Sequence, residues 1–268
     1  MEKLFPNKKI NEKAYSIQTD FHAWLNGNYK KDQKIIEDLK TLYMGELFYG
    51  DYLIGELIDN LKKKKIYDDT LILITGDHGE FFDEHGQLNH GGTVFNEVIK
   101  VPCIIKFPKN YKAGTSISKI TSHFDIFPTI INYLNIKDNN LQMDGEDIFI
   151  PNKNRFIVVD APPLVLPGRL SHYPKVVLDQ SYFWRSIINL EYKYIWKSDG
   201  KNYLYKTNDY ENEKNNILAN NNNLAKNMHQ QMINFYKKIN SEFDINKYPI
   251  NIGKTAAKFI TSPRIIRE

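Results

Sequence analysis

One cysteine, Cys103, stands in 268 residues, so no disulfide can form within the chain. It lies in "VPCIIKFP", an apolar strand pattern, where a small buried hydrophobe is expected and a nucleophile is the alternative. No run of about 18 apolar residues occurs, so no segment is expected to span a membrane. The first residues, "MEKLFPNKKINEKAYS", lack an apolar stretch of the signal-peptide kind, and the cytoplasm is the expected location. A strong excess of one charge is also missing, the formal net charge being +4. Lysine runs such as Lys62 to Lys65 have no interleaved aromatics and read as solvated faces, so no nucleic-acid partner is expected. No internal repeat is visible. What remains is ordinary globular composition, 41% hydrophobic and 25% charged, with enough length for one large core or two smaller ones.

Periodicity divides the chain. Residues 1–31 read as loop or short helix. From Asp32 to about Lys65, apolar residues from Ile35 to Leu61 recur at threes and fours, which predicts a long amphipathic helix. "YDDT" makes a turn, and Leu71 to Thr75 form a continuous apolar strand of the kind buried on both faces in a parallel or mixed sheet. "VPCIIKF" (101–107) is a second such strand and "RFIVVDA" (155–161) a third, with Pro128 marking a helix start between them. Strand, helix and strand alternating in this way means an α/β layer fold. After "APPLVLPG" the segment "WRSIINLEYKYIWKSDGKNYLYKT" reads as antiparallel strands turning at Asp199-Gly200, and residues 224–240 as a helix. The expected division is an α/β core over 1–165 and a small antiparallel subdomain with a C-terminal helix over 166–268.

Chemistry concentrates at the end of the 71–75 strand. "GDHGEFFDEHGQLNHGG" holds Asp77-His78, then His85, then His90, three of the seven histidines within thirteen residues. Ligands in open α/β sheets bind outside the carboxyl ends of strands. A carboxylate and an imidazole can share a divalent cation if the chain turns as it leaves the sheet, and Gly76 and Gly79 flank the pair. Such a pair suits Mn²⁺ or Zn²⁺ better than Ca²⁺, with none excluded. The other reading of the same residues is an exposed Asp capping the next segment, with His78 incidental. His90, after a Gly-containing loop, could protonate a leaving oxygen or hold an anionic one, or be a surface-loop histidine. His85 reads as a supporting or structural residue. His22, His123, His172 and His229 have no companions and read as structural or exposed.

Taken in order, "DDTLILITGDHGEFFDEHG", "NHGG", "FNEVIKVPCIIKFP", "SHFDIFPTIINYLNI", "MDGEDIF" and "YKYIWKSDGKNYLYKTNDYENEKNNI" resemble the C-terminal part of the sulfatase family, within the alkaline-phosphatase-like superfamily, over roughly residues 35–218. The resemblance implies an alkaline-phosphatase-like mixed sheet covered by helices, with Asp77 and His78 as metal ligands. His90 takes the position of the Lys or His that meets the transferred group. One divalent metal is implied, Ca²⁺ by family default and Mn²⁺ or Zn²⁺ given the histidine. The implied substrate is a small anionic ester, a sulfate ester first and a phosphoric ester as the alternative, since a His at this position also occurs in phosphoethanolamine transferases and phosphodiesterases. The family's nucleophile motif, Cys-or-Ser-X-Pro-X-Arg, whose first residue becomes formylglycine, has no counterpart in these residues. Neither Cys103 nor Ser262-Pro263-Arg264 fits it. The resemblance therefore implies the C-terminal portion of an enzyme whose first half is separately encoded or lost. A non-catalytic remnant or partner subunit is the remaining alternative.

Overall fold

The computed structural model describes residues 9–12, 14, 32–137, 141–163, 182–209 and 213–239. These fall into two compact units, one holding the described residues up to 91 together with 97–114, the other 92–96, 115–163 and 182–239. The boundary expected near residue 165, His22 and His172 lie outside the described residues. No described helix is long and apolar enough to cross a membrane.

The first unit opens with α1, Gln33–Lys63. Asp32 caps it by accepting the Lys34 N–H at 2.9 Å, and Lys62 and Lys63 sit in its last turn, where they complement the helix dipole. Its N-terminal half buries Ile35, Ile36, Leu39 and Leu42, as the periodicity predicts. From Met44 onward it does not follow: Leu47, Leu53 and Leu57 are about half exposed, as are Met44, Phe48 and Tyr52. Next come β1 (Ile72–Thr75), β2 (Phe81–Phe82), β3 (Leu88–Asn89), the short α2 (Asn96–Ile99) and β4 (Cys103–Lys106).

β1 pairs antiparallel with β4, Ile72 opposite Lys106 and Thr75 opposite Cys103, and the two form a two-stranded sheet. This corrects the expectation of strands buried on both faces. Ile104 is 61% exposed, and Cys103, which points to the opposite face of the strand, is exposed rather than buried. Partial burial pushes the Cys103 thiol up, which argues against a reactive thiolate. Lys106 steadies the turn before β1, its ammonium donating to the carbonyls of Tyr67, Asp68 and Thr70.

The second unit holds α3 (Ile126–Tyr133), β5 (Ile157–Ala161), β6 (Trp184–Ile188), β7 (Tyr192–Lys197), β8 (Tyr203–Lys206) and α4 (Asn222–Ile239). β5 to β8 form one antiparallel sheet in sequence order, so it draws strands from both sides of residue 165. The turn from β7 to β8 passes through Gly200, whose φ of 87° is the left-handed conformation that Asp199-Gly200 announced. Ile187, Tyr194 and Leu204 of the sheet pack on Ala225, Met228, Met232 and Tyr236 of α4 in a closed core.

Two of the segments that resemble the sulfatase family interlock beside α3. Asp125 is fully buried, and its carboxylate accepts the N–H groups of Ser122 and Glu146 and pairs with Arg155. The Ser122–Asp125 capping box starts the turn that leads into α3, with Pro128 in the first helical turn. Gly145 passes so close that a Cβ there would lie 1.9 Å from the Phe124 carbonyl oxygen. "SHFDIFPT" and "MDGEDIF" are thus joined by one buried carboxylate, a structural task.

Candidate active site

The site is built where β1 leaves the sheet. Gly79 is fixed against α2: its N–H donates to the Val98 carbonyl at 2.7 Å, and a Cβ would fall 1.9 Å from the Glu97 carbonyl oxygen. The requirement is for room and not for a special torsion, since neither Gly76 nor Gly79 has a positive φ. The tight passage holds Asp77 and His78 at the strand's end.

The chain then makes a hairpin. Phe81 pairs with Asn89 and Phe82 with Leu88. Phe81 and Leu88 are buried, which anchors the register. The connection is strained. Asp83, His85, Gly86, Asn89, Gly91 and Gly92 all have positive φ, from 50° to 84°, and for the non-glycines that conformation is costly. The hairpin returns the chain to its starting point, so His90 lies on His78 with ring centroids 4.0 Å apart and planes inclined by 28°.

Asp77 Oδ2 lies 3.7 Å from His78 Nε2. His78 Nδ1 lies 2.9 Å from the Gly79 carbonyl oxygen, a bond it can make only as donor, which leaves the Nε2 lone pair available. The Asp77 carboxyl is held below the usual carboxylate range by the His78 backbone N–H on Oδ1, its own N–H and the nearby His78 ring. Ligands about 2.0–2.6 Å from one ion stand roughly 3–4 Å apart. The separation, the free imidazole nitrogen and the ionised carboxylate fit two donors of a divalent-cation site. His90 presents Nδ1 to Glu80 Oε2 at 3.1 Å.

His85 is turned elsewhere. Its Nε2 lies 3.5 Å from Glu97 Oε2, and its ring meets Phe81 edge-on. His229 is half-buried in the second unit, with Nδ1 3.3 Å from the Tyr194 hydroxyl, in keeping with a structural residue. Sequence reasoning missed Glu80. Its signal was the pair of short apolar runs, Phe81-Phe82 and Leu88, on either side of a turn. Had that been read as a hairpin, Glu80 would stand opposite His90.

Comparison with known proteins defines the class first. The fold is alkaline-phosphatase-like. The crystal structure of a phosphonate monoester hydrolase from Agrobacterium radiobacter superposes with a TM-score of 0.62 at 22% identity, covering 77% of this chain and 43% of that one. Residues 5–136 match the sulfatase family model. It is 33% identical over 95 residues to an N-acetylglucosamine-6-O-sulfatase of Bacteroides thetaiotaomicron, covering 35% of this chain and 17% of that protein. It is 29% identical over 119 residues to a lipoteichoic acid synthase of Staphylococcus saprophyticus, covering 42% of this chain and 18% of that protein. The matched stretches are thus under a quarter of these relatives and under half of the solved structure.

Proposed function

We propose that this chain carries part of the active site of a metal-dependent sulfuric ester hydrolase acting on a small anionic ester. The observation behind the reading is the gathering of the Asp77 carboxylate and the His78 and His90 imidazoles at the exit of β1. Asp77 and His78 would hold the divalent cation, Ca²⁺, Mn²⁺ or Zn²⁺. When bound, it would polarise the ester oxygens and lower the cost of their developing charge. His90, once protonated to the imidazolium, would give its Nε2 proton to the oxygen that departs as the sulfur–oxygen bond breaks. Residues 1–165 would supply this chemistry, and 166–268 would complete the antiparallel subdomain that β5 begins.

No Cys-or-Ser-X-Pro-X-Arg segment occurs in these 268 residues, so the nucleophile would come from polypeptide outside them, on the same or another chain. Phosphoric-ester hydrolysis or transfer is the second reading. It has support in the histidine pair and in the similarity to a lipoteichoic acid synthase.

Metal binding tests the first step without any turnover. Mn²⁺ should broaden the His78 ring signals in NMR spectra of the chain, and Asp77→Ala should remove the effect. Unchanged His78 signals at saturating Mn²⁺ would sink the proposal. For the reaction, the chain alone should turn over neither aryl sulfate nor aryl phosphate. Together with a nucleophile-bearing partner segment it should prefer the sulfate. A preference for phosphate mono- or diesters would select the second reading.

A further inference from the structure

We infer that Glu80 is the positioning residue for His90: its carboxylate accepts the Nδ1 proton and leaves Nε2, on the opposite side of the ring, to meet the substrate. The functional meaning rests on the role proposed for His90, whereas the hydrogen bond itself stands apart from it. Three observations carry the inference.

The first is register. The hairpin pairs Phe82 with Leu88 and Phe81 with Asn89, so the next positions outward are Glu80 and His90, directly opposite each other. The buried Phe81 and Leu88 fix that alignment, and the tight Gly79 passage fixes the residue just before Glu80. The two side chains therefore meet by construction of the backbone.

The second is geometry. His90 Nδ1 lies 3.1 Å from Glu80 Oε2, within hydrogen-bond reach, and the histidine must donate because an ionised carboxylate only accepts. The His78 ring covers one face of His90 at 4.0 Å. Glu80 thus restricts rotation of the imidazole in its plane, and His78 restricts its tilt.

The third is the state of the carboxylate. The Glu80 side chain is only 21% exposed, and its Oε1 is shielded from solvent and meets no hydrogen-bond partner among the described residues. A carboxylate kept largely out of water with half its acceptors unused is a poor stabilising device. Its hydrogen bond goes to the histidine at the candidate site, the arrangement that fixes a tautomer.

Nitrogen-15 NMR of the imidazoles at pH 8 tests this directly. In the unaltered chain His90 should be the Nδ1–H tautomer, with a pyridine-type Nε2. Glu80→Gln should keep that tautomer, because the amide oxygen still accepts. Glu80→Ala should move His90 toward the Nε2–H form, while His78, bonded to the Gly79 carbonyl, stays unchanged as an internal control. An Nε2–H form of His90 in the unaltered chain overturns the inference, whether or not any variant folds. Mn²⁺ binding at Asp77 and His78 should survive Glu80→Ala, so loss of the metal proposal and loss of this one give different results. In an assembly that turns over, Glu80→Ala should lower kcat about 10- to 100-fold with KM little changed and a displaced pH–rate profile, and Glu80→Gln should restore part of the rate. A change in KM alone would assign Glu80 to binding and overturn the positioning role.

Discussion

The β5–β8 sheet with α4 and the β1–β4 pair with α1 are built from similarly apolar residues, yet they end in different states. In the first, Ile187, Ile195, Leu204 and Met232 have no exposed surface. In the second, Ile104 and the C-terminal half of α1 leave large apolar side chains half open to solvent. The difference is one of partners. The β5–β8 sheet meets an amphipathic helix that closes its core, whereas β1 and β4 pair only with each other among the described residues. Apolar content therefore predicts secondary structure in both regions, but burial only where a complementary element arrives. Exposed apolar surface of this kind marks a place for further contacts.

Four predictions can break or sharpen this contrast. The largest effects belong to the closed unit. Asp125→Ala would strand the buried Arg155 guanidinium, which among the described residues keeps only Glu146 as an ionic partner, and should cost about 3–5 kcal/mol. Ile187→Ala should cost about 2–5 kcal/mol. Leu47→Ala on α1 should stay within about 0.5 kcal/mol. Urea unfolding of the three variants checks this, and a Leu47 effect as large as that of Ile187 would show that the exposed half of α1 is covered in solution.

Next is Gly79→Ala. The added methyl must displace the Glu97 carbonyl or the Asp77-His78 turn, so Mn²⁺ broadening of His78 should vanish while the second unit keeps its stability. Retained broadening would mean that the passage yields without moving the ligands.

A smaller effect concerns association. Wild-type chain should sediment as more than one copy at tens of micromolar, and joint Leu47→Glu and Leu57→Glu replacement should return it toward a single chain. A monodisperse wild-type monomer would contradict this.

The smallest effect is a pH slope from His229. Burial lowers its pKa, so its neutral form is favoured in the folded state. Between the lowered folded value and about 6.5, the unfolded chain binds the proton and the folded chain does not. Stability should therefore fall as pH drops through that window, and His229→Phe should flatten the slope. An unchanged slope would remove His229 as its source.

Much of the fold was legible because local rules govern it. The apolar spacing gave α1 and α4 within a few residues, Asp199-Gly200 gave its turn, and Pro128 marked the start of α3. The concentration of Asp77, His78 and His90 was legible as composition. Cys103 was misjudged because a strand pattern says that a side chain faces one side of a sheet, not whether anything lies there.

By itself, the sequence determined the long helices and the longer strands, which side chains could hold a cation or move a proton, and the resemblance to sulfatases. These follow from covalent identity and from interactions a few residues apart. Only the tertiary structure decided that His90 stacks on His78, that Glu80 rather than His85 accompanies it, and that Gly79 is needed for close approach. Each depends on a hairpin register set by the burial of Phe81 and Leu88, and burial is settled by the assembled neighbours and not by the chain's local pattern.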